Sequence, residues 1–416
     1  MAPILLFVAV WLGSSGSVVA ALLAPVVPGG WWTLAAVGAL PAIPLTILTR
    51  GLEGRSYPSA RARLFAVRPF WYAMLFLPML AASGLAGLLI GLPFAAPVAV
   101  ARWSMGVAAI GLTVLGVVGL VGSRRLLVRQ LRVGIPGLPA PFEGLRIVQL
   151  SDLHVGPHTS RRFLGRVVSA VVAEHPDLVA FTGDQVDDFA RDVEPFVAAF
   201  GALSAPLGVY AIAGNHDVIA GWGAVERGLA SAGMSVLVNE AVPIERGGSR
   251  IWLAGTGDPM ARGWRRDSGR DAAPDVAATL RPVPAGEPVV ALAHNPVLWP
   301  ELARHGVELT LSGHTHYGQL AIPRLGWSAA SPFLDLAMGM HQRGRSSLYI
   351  NPGTNYWGLP FRIGTAPEVT VVTLTRRQDG CAPALGWDGG VPAAVLWRNP
   401  APGVGDSPLT TWPAVS

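Results

Sequence analysis

The sequence predicts an α/β domain preceded by an α-helical membrane region of about four helices. Residues 1–122 carry almost no charge outside one arginine patch, whereas residues 144–375 have the composition of a globular domain. In this second part, short β-branched runs alternate with segments whose apolar residues recur at helical spacing. That alternation is typical of a parallel or mixed sheet covered by helices.

Four apolar stretches reach the length of about 20 residues that a membrane-spanning helix requires. They are approximately Pro3–Val26, Trp31–Thr49, Trp71–Phe94 and Trp103–Val121. A signal peptide is the alternative for the first stretch, but it lacks a basic amino-terminal region and three more stretches follow. We therefore expect a multi-pass membrane protein whose first partner is the lipid bilayer.

The distribution of arginine predicts the orientation in the membrane. The basic clusters lie between the second and third stretches and after the fourth, at Arg50, Arg55, Arg61, Arg63, Arg68, Arg124, Arg125, Arg129 and Arg132. Because cytoplasmic loops are enriched in basic residues, the amino terminus, the middle loop and the α/β domain are expected in the cytoplasm. No arginine run contains interleaved aromatic residues, so nucleic acid is not an expected partner.

Composition also predicts the flanks of the domain. Residues 123–143 are basic and then rich in Pro and Gly, as expected for a linker, and residues 376–416 are rich in Pro, Gly and Ala, which predicts a mostly disordered tail. The single cysteine, Cys381, excludes an intrachain disulfide framework. The predicted strands are Leu145–Leu150, Leu178–Thr182, Val209–Ala213, Ile251–Ala254, Val289–Ala293, Leu309–Leu311, Leu348–Ile350 and Val369–Leu374, with helices over Arg161–Glu174 and Val193–Leu203.

Five short motifs of metal-ligating residues and glycine each follow a predicted strand. They are Asp152-Leu153-His154, Gly183-Asp184-Gln185-Val186-Asp187, Gly214-Asn215-His216-Asp217, His294-Asn295-Pro296 and Gly313-His314-Thr315-His316. An α/β sheet builds its site at the carboxyl ends of its strands. Carboxylate, carboxamide and imidazole ligands together suit divalent ions such as Mn, Fe, Zn or Ni. Any one motif could be a solvated loop or a turn, but five in succession indicate one site.

The motifs supply enough ligands for two divalent metal ions. Asp184 is the natural bridging ligand, because a carboxylate can offer one oxygen to each of two cations. The seven candidates are Asp152, His154, Asp184, Asn215, His294, His314 and His316. Two ions about 3.5–4 Å apart would leave positions for water and substrate. His158 is a weaker candidate for the substrate pocket, and His175, His305 and His341 are interpreted as surface or structural residues.

The five motifs, in this order, resemble those of the calcineurin-like metallophosphoesterase superfamily over about residues 145–375. Residues 312–319 and 358–364 resemble its membrane-anchored branch. The resemblance implies a four-layer α/β/β/α sandwich of two mixed sheets. It also implies a first metal on Asp152, His154, Asp184 and His316, and a second on Asp184, Asn215, His294 and His314.

The resemblance further implies a catalytic role for His216, beside the scissile phosphate as proton donor or charge stabiliser. Asp217 and Asp187 would orient its neighbours, while Asn215 and His158 would contribute to substrate binding. Protein phosphatases of this superfamily continue the second motif with Arg-Gly, whereas this chain has Asp188-Phe189, which argues against that class. Residues 317–345 carry no motif and are expected to form part of the pocket rim.

The resulting interpretation is a membrane-anchored phosphoesterase that hydrolyses phosphomonoester, phosphodiester or pyrophosphate bonds through metal-activated water. The anchor favours a phosphoester substrate at the bilayer, such as a phospholipid or a lipid-linked pyrophosphate. A nuclease or nucleotide phosphodiesterase is the enzymatic alternative. A noncatalytic membrane receptor or scaffold is less favoured, because no expected ligand is missing, and the near absence of ionisable residues from the apolar stretches gives no hint of transport.

Overall fold

The computed structural model describes residues 2–39, 42–52, 59–156, 158–263, 269–377 and 396–398. The chain forms two compact units. The helical unit comprises Met1–Val121 together with Gly358–Phe361, and the sheet unit comprises Gly122–Trp357 and Arg362–Ser416.

Six α-helices make up most of the helical unit. They are α1 (Ala2–Leu23), α2 (Gly30–Ala39), α3 (Ala42–Leu52), α4 (Ala60–Ala62), α5 (Arg68–Gly91) and α6 (Pro97–Gly122), with a π-helical turn at Arg63–Val67 between α4 and α5. Buried Val8 and Leu12 of α1 pack with Phe70 of α5. Leu22 of α1 packs with Ala101 and Met105 of α6. The apolar residues therefore bury a small core between these three helices and leave most of their surface exposed.

Among the described residues, three helical segments are long and apolar enough to cross a membrane, where the sequence analysis predicted about four. They are Leu6–Leu23, Arg63–Phe94 and Pro97–Gly122. The predicted second span forms α2 and α3 instead, of 10 and 11 residues. Neither reaches the length of about 20 residues that a span requires. Residues 40 and 41, between α2 and α3, lie outside the described residues.

The segment Gly358–Phe361 is part of the helical unit although it is distant from the helices in sequence. The hydroxyl of Tyr72 donates to the carbonyl oxygen of Pro360 at 3.1 Å. The ring of Phe361 meets that of Phe76 edge-on, with centroids 6.2 Å apart. Gly119 of α6 makes room for the same ring, because any side chain there would overlap it. This segment is thus bound to α5 and α6 by a hydrogen bond and by aromatic packing.

Fifteen strands are formed by the described residues of the sheet unit. They are β1 (Leu127–Pro136), β2 (Arg146–Leu150), β3 (Leu178–Phe181), β4 (Val209–Ala211), β5 (Ser235–Val236), β6 (Glu240–Arg246), β7 (Ser249–Gly255), β8 (Val289–Leu292), β9 (Leu309–Ser312), β10 (Ala321–Ile322), β11 (Trp327–Ser328), β12 (Gly339–Arg343), β13 (Ser346–Ile350), β14 (Glu368–Arg377) and β15 (Leu396–Arg398). The eight strands predicted from the sequence are all present, with ends that differ by at most three residues.

The strands form two mixed sheets and one short hairpin. The seven-stranded sheet has the order β15-β1-β14-β2-β3-β4-β5, and the six-stranded sheet has the order β12-β13-β9-β8-β7-β6. In the first, β2, β3, β4 and β5 are parallel, and in the second β7, β8, β9 and β13 are parallel. Because parallel strands end at the same edge, several carboxyl ends lie together in each sheet.

The two sheets pack face to face between two layers of helices. One apolar core joins Ile147 and Leu178 of the first sheet to Leu253 and Leu309 of the second. The helices are α7 (Arg161–Ala173), α8 (Val193–Phe200), α9 (Asn215–Ser231), α10 (Val276–Leu280) and α11 (Trp299–Arg304). Helices α7, α8 and α9 cover the first sheet, and α10 and α11 cover the second. The α/β fold of two mixed sheets expected from the sequence is therefore present, in four layers.

Residues 123–143 were expected to be a linker, and the structure corrects this. About half of the segment is β1, whose ten residues pair in parallel with β14 over their whole length. Leu131, Val133 and Ile135 alternate towards the inter-sheet core, as a half-buried strand requires. Arg129 breaks the apolar pattern, but its Nε donates to Glu368 Oε2 at 2.7 Å. The basic residues are therefore the reason why a linker was predicted in place of β1.

The expected disordered tail, residues 376–416, lies largely outside the described residues. Arg376 and Arg377 end β14, and residues 396–398 form β15, antiparallel to β1 at Val128–Gln130. Cys381 also lies outside the described residues.

Candidate metal centre

All five motifs lie at the carboxyl ends of adjacent strands. Asp152 and His154 follow β2, Asp184 follows β3, and Asn215 follows β4 in the seven-stranded sheet. His294 follows β8, and His314 and His316 follow β9 in the six-stranded sheet. The two packed sheets bring these ends together, which is why residues up to 164 positions apart in sequence make one site.

Unusual backbone geometry marks the same residues. Ten non-glycine residues in the described part of the chain have a positive φ, and five of them are candidate metal ligands: Asp152, His154, Asp184, His314 and His316. Their φ values lie between 41° and 72°, in the left-handed region that most side chains disfavour. Such strain persists only where the surrounding structure imposes it, and it concentrates at functional sites.

The first candidate metal group consists of Asp152, His154 and His316, whose ligand atoms all lie within 4.8 Å of one another. His154 Nε2 is 3.0 Å from His316 Nε2. His316 Nε2 is 3.3 Å from Asp152 Oδ1. Two ring nitrogens at this distance cannot both carry a proton, whereas both can direct a lone pair at a shared cation.

The second candidate group consists of Asp184, Asn215, His294 and His314. Asn215 Oδ1 is 3.1 Å from His294 Nε2 and 2.8 Å from His314 Nδ1. His294 Nε2 is 3.3 Å from Asp184 Oδ2. The other nitrogen of His294, Nδ1, lies 2.8 Å from the carbonyl oxygen of Thr182. A bond from Nδ1 to that carbonyl leaves Nε2 unprotonated and free to act as a ligand.

Asp184 connects the two groups. Its Oδ2 faces both His294 Nε2 at 3.3 Å and His154 Nε2 at 3.7 Å. Its Oδ1 accepts the backbone N–H of His216 at 2.8 Å. A single oxygen therefore faces both groups, whereas the sequence analysis expected one oxygen for each cation.

Burial makes the electrostatics of this cluster strong. Asp152, His154 and His294 are fully buried, and Asn215, His216 and His314 are half-buried, so the cluster opens to solvent on one side. Burial lowers the pKa of His154, and it lowers that of His314 to about 4. Burial acts in the same direction on His294, but Asp184 and Asp152 outweigh it and raise the pKa of His294 well above its usual value. Burial thus favours neutral imidazoles at His154 and His314, whereas the carboxylate charge favours a proton on His294 in the absence of a cation.

His216 lies beside the cluster and is held by a residue that the sequence analysis did not assign. Its Nδ1 is 3.0 Å from Asp188 Oδ1 and 2.9 Å from the carbonyl oxygen of Asp187. Burial lowers the pKa of His216, but Asp184 and Asp188 outweigh it and raise that pKa to about 10. The acid that replaces the phosphatase arginine is therefore the direct partner of His216.

The carboxylate of Asp217, an expected catalytic residue, is bonded to two backbone amides. Its Oδ2 accepts the N–H of Gly214 at 2.9 Å, and its Oδ1 accepts the N–H of Val186 at 3.1 Å. Asp217 thus joins the loop that carries Asp184 to the turn that carries Asn215. The short side chain of Asp217 lies in the first turn of α9, where backbone amides are the nearest partners for its carboxylate oxygens.

Asp187 and His158 lie on the side of the first group. Asp187 Oδ1 is 3.7 Å from His154 Nδ1, and Asp187 Oδ2 is 3.9 Å from His158 Nδ1. The ring of His158 packs on that of Tyr356, with centroids 5.4 Å apart. Asp187 is therefore placed to orient His154. His158 lies beyond Asp187 and so further from the metal ligands.

Arg362 is the most buried functional candidate that the sequence analysis did not assign. Its side chain is 1% exposed. Its guanidinium donates to the carbonyl oxygens of His316, Pro352 and Asn355 and lies 2.9 Å from His316 Nδ1. An arginine always donates, so this contact fixes the orientation of the His316 ring. The signal in the sequence is that Arg362 is a charge within residues 358–364, which resemble the membrane-anchored branch, but the resemblance gave this residue no role.

Two motif glycines permit the close packing of the centre. A side chain at Gly214 would overlap the backbone N and Oδ1 of Asp184, and one at Gly313 would overlap Ser151 and Asp152 Oδ2. Glycine is required at both positions because a carboxylate of the centre lies directly against the backbone.

The donor set fits divalent metal ions. Buried imidazole nitrogens lie 3.0–3.7 Å from each other and from carboxylate oxygens. Where the second nitrogen of a buried ring also has a partner, that partner orients the ring. Nitrogen and oxygen donors of this kind suit Mn, Fe, Zn or Ni ions.

Comparison with known proteins finds a matching family model and several similar proteins. The family model for calcineurin-like phosphoesterases matches residues 145–318. A Danio rerio "transmembrane protein with metallophosphoesterase domain" is 34% identical over 63% of this chain and 60% of its own length. The Bacillus subtilis "uncharacterized metallophosphoesterase YkuE" is 33% identical over 57% of this chain and 81% of its own. The solved structure of TT1561 from Thermus thermophilus covers half of this chain at 14% identity and a TM-score of 0.35.

The fold and the clustered ligands define a two-sheet metallohydrolase scaffold. The chain belongs to the calcineurin-like phosphoesterase family. It spans about 60% of the length of the transmembrane relatives that it matches, including one from Bos taurus.

Proposed function

We propose that this protein is a membrane-anchored hydrolase of phosphoric esters that uses two divalent metal ions. The observation that carries the proposal is the position of Asp184 Oδ2, within 3.7 Å of a histidine from each ligand group. Asp152, His154, Asp184 and His316 would hold one ion, and Asp184, Asn215, His294 and His314 the other. When bound, two such ions lower the pKa of a water molecule and neutralise phosphoryl oxygens.

The side chains of the protein then have distinct tasks. His216 lies on the half-buried, open side of the centre, where a phosphoester can reach it. With its pKa raised to about 10, the ring carries a proton at neutral pH. It can therefore stabilise charge on the phosphoryl group and donate the proton to the leaving oxygen. Asp188 holds the ring through Nδ1, which directs Nε2 away from Asp188.

We further propose that the substrate is a phosphoester at the membrane surface, either a phospholipid or a lipid-linked pyrophosphate. Three helices in the described residues have the length and apolarity to cross a bilayer, which supports a multi-pass anchor. An enzyme fixed to a bilayer meets lipid substrates at high local concentration. Preference for a soluble nucleotide over lipid phosphoesters in a side-by-side assay would contradict this substrate.

With three spans instead of four, the loop between the first two spans and the sheet unit are still expected on one side of the membrane. Arg50 and Arg61 lie between the first and second spans, so two spans separate them from the sheet unit and both remain on the same side of the membrane. The arginines still favour the cytoplasmic side for both. The amino terminus, however, now falls on the opposite side.

Two substitutions test the proposed roles against each other. Asp184→Ala should abolish both metal binding and hydrolysis, because both ligand groups lose their common oxygen. His216→Ala should retain both metals and lose turnover by about 10²–10⁴-fold, the usual contribution of acid–base catalysis. Metal content by elemental analysis and hydrolysis of a chromogenic phosphodiester measure the two effects. An active Asp184→Ala protein would refute the proposed centre.

A further inference from the structure

A cluster of exposed apolar side chains lies just beyond the metal centre. Nine large apolar side chains are exposed in the described part of the sheet unit, and five of them fall between residues 322 and 334. They are Ile322 (47% exposed), Leu325 (73%), Trp327 (38%), Phe333 (84%) and Leu334 (40%). We call residues 320–334 the apolar hairpin. Such a concentration on one surface segment marks an interaction site.

The backbone of the apolar hairpin is well held, so the exposure is a built feature. Strands β10 and β11 place Ile322 directly opposite Trp327. The turn after them is closed by hydrogen bonds from the N–H groups of Phe333 and Leu334 to the carbonyl oxygen of Ala330, both at 3.0 Å. Ser328 is buried and bonded to Ser331. The fold therefore presents these apolar side chains outward while it orders the chain beneath them.

The base of the apolar hairpin is joined to the residues around the metal centre. It begins four positions after His316, and its Leu320 pairs with Ile363. Gln319, which precedes it, exchanges two hydrogen bonds with the backbone of Trp357, both at 3.1 Å. The ring of Trp357 lies 5.7 Å from that of His216. Whatever surface the apolar hairpin binds is consequently near the open side of the centre.

We propose that the apolar hairpin inserts into the lipid surface and forms a second membrane contact, separate from the spanning helices. Leucine, isoleucine, phenylalanine and tryptophan beside an exposed arginine, Arg324, have the composition of interfacial membrane segments. The arginine matches the phosphate groups of lipids, although Asp335 follows the hairpin as an exposed acid. The described residues also include three helices that are long and apolar enough to cross a membrane. The bilayer is thus the partner available to every copy of the chain.

Depth measurements in the full chain test the proposal. Cys381→Ser provides a background free of cysteine, into which Leu325→Cys or Phe333→Cys is introduced and labelled with a bimane fluorophore. Val172→Cys on α7, 56% exposed in a different part of the same unit, is the matched control. The protein is reconstituted into phosphatidylcholine vesicles with 20–30% phosphatidylglycerol (roughly the anionic share that basic interfacial segments need).

Labels at 325 and 333 should be quenched about twofold or more above the control by lipids with a nitroxide near the headgroup, because interfacial side chains lie about 5–10 Å into that boundary. Iodide in the water should quench them less than the control. Quenching equal to that at 172 by both agents would overturn the proposal. Protection from both agents would also overturn it, since that pattern indicates a second copy or another protein.

A kinetic measurement shows what the contact does, and this arm rests on the proposed function. The double variant Leu325→Glu with Phe333→Glu should hydrolyse a phosphoester embedded in vesicles at least about tenfold more slowly. This is the effect expected when a contact that raises the local concentration of substrate tenfold is lost. Hydrolysis of a soluble chromogenic diester should stay unchanged, and Val172→Glu should affect neither. Equal rates on embedded substrate in all variants would contradict the kinetic role. If no phosphoester is hydrolysed at all, the proposed function fails while the depth measurement still decides the membrane contact.

Discussion

Asp188 shows how much a single side chain can change the interpretation of a motif. At the position where protein phosphatases of this superfamily have arginine, this chain places a carboxylate 3.0 Å from His216 Nδ1. In place of an arginine that binds phosphate, this chain has Asp188, whose carboxylate holds the ring of His216 and favours its protonated form. Asp188 consequently supports the proposed role of His216 as a proton donor to the leaving group.

The role of Asp188 predicts a selective loss of turnover. Asp188→Asn removes the charge that helps to raise the pKa of His216, so a smaller fraction of the rings is protonated near neutral pH. Turnover should fall by about tenfold, less than the 10²–10⁴-fold expected for removal of the acid itself. Steady-state kinetics and metal content measure this, with the exposed Glu194→Gln as control. Loss of bound metal in Asp188→Asn would show that the residue supports the ligands instead.

At the scale of secondary-structure elements, the centre depends on sharp turns where strands end. Five candidate ligands adopt a positive φ, and Gly214 and Gly313 let two carboxylates lie against the backbone. These turns direct side chains from β2, β3, β4, β8 and β9 into one space. The loops therefore determine the exact geometry of the metal centre, while the strands bring these loops together because they end at a common edge.

Gly214→Ala tests this dependence on close approach. The added methyl group would overlap the backbone N and Oδ1 of Asp184, so the turn must shift and displace the bridging carboxylate. We expect metal occupancy and hydrolysis to fall together. Gly263→Ala is the control, because its methyl group would meet open space and its φ of −116° suits alanine. Full metal occupancy in Gly214→Ala would show that the turn can adapt without cost.

The sequence predicts the elements that carry local signals and misses those that depend on distant partners. The motifs follow β-branched runs, so both the strands and the seven ligand candidates are visible directly. Strand β1 is missed because Arg129 looks like a membrane-flanking charge until its buried partner Glu368, 239 residues away, is known. Arg362 is missed for a similar reason, since its acceptors lie in two other segments, at His316 and in the loop that holds Pro352 and Asn355.

The whole molecule places its domain boundary before β1, and this predicts where the chain can be cut. A truncated chain that begins at residue 123 keeps β1, whereas one that begins at 144 removes the partner of β14 along ten residues. The second chain would expose β14 as a long unpaired edge and leave Glu368 without Arg129, so it should aggregate. Yield of monomer in mild detergent by size-exclusion chromatography compares the two. Equal monomer yields would place β1 outside the folding unit.

The proposed topology makes a second prediction at this scale, for which the single cysteine is a convenient probe. Cys381 follows β14 and should be cytoplasmic, so a membrane-impermeant maleimide should label it only after cells are permeabilised. In a Cys381→Ser background, Ala2→Cys should be labelled in intact cells, because three spans place the amino terminus outside. Labelling of both positions from the same side would instead require an even number of spans.

The positive φ values at the ligands have a consequence for the history of this chain. Each such residue costs about 1–3 kcal/mol that the rest of the fold must offset. Asparagine or glycine adopts that conformation with less penalty, so the protein is held away from its most stable sequence by the requirement for particular ligands. A chain released from that requirement would gain stability by replacing these side chains with asparagine or glycine.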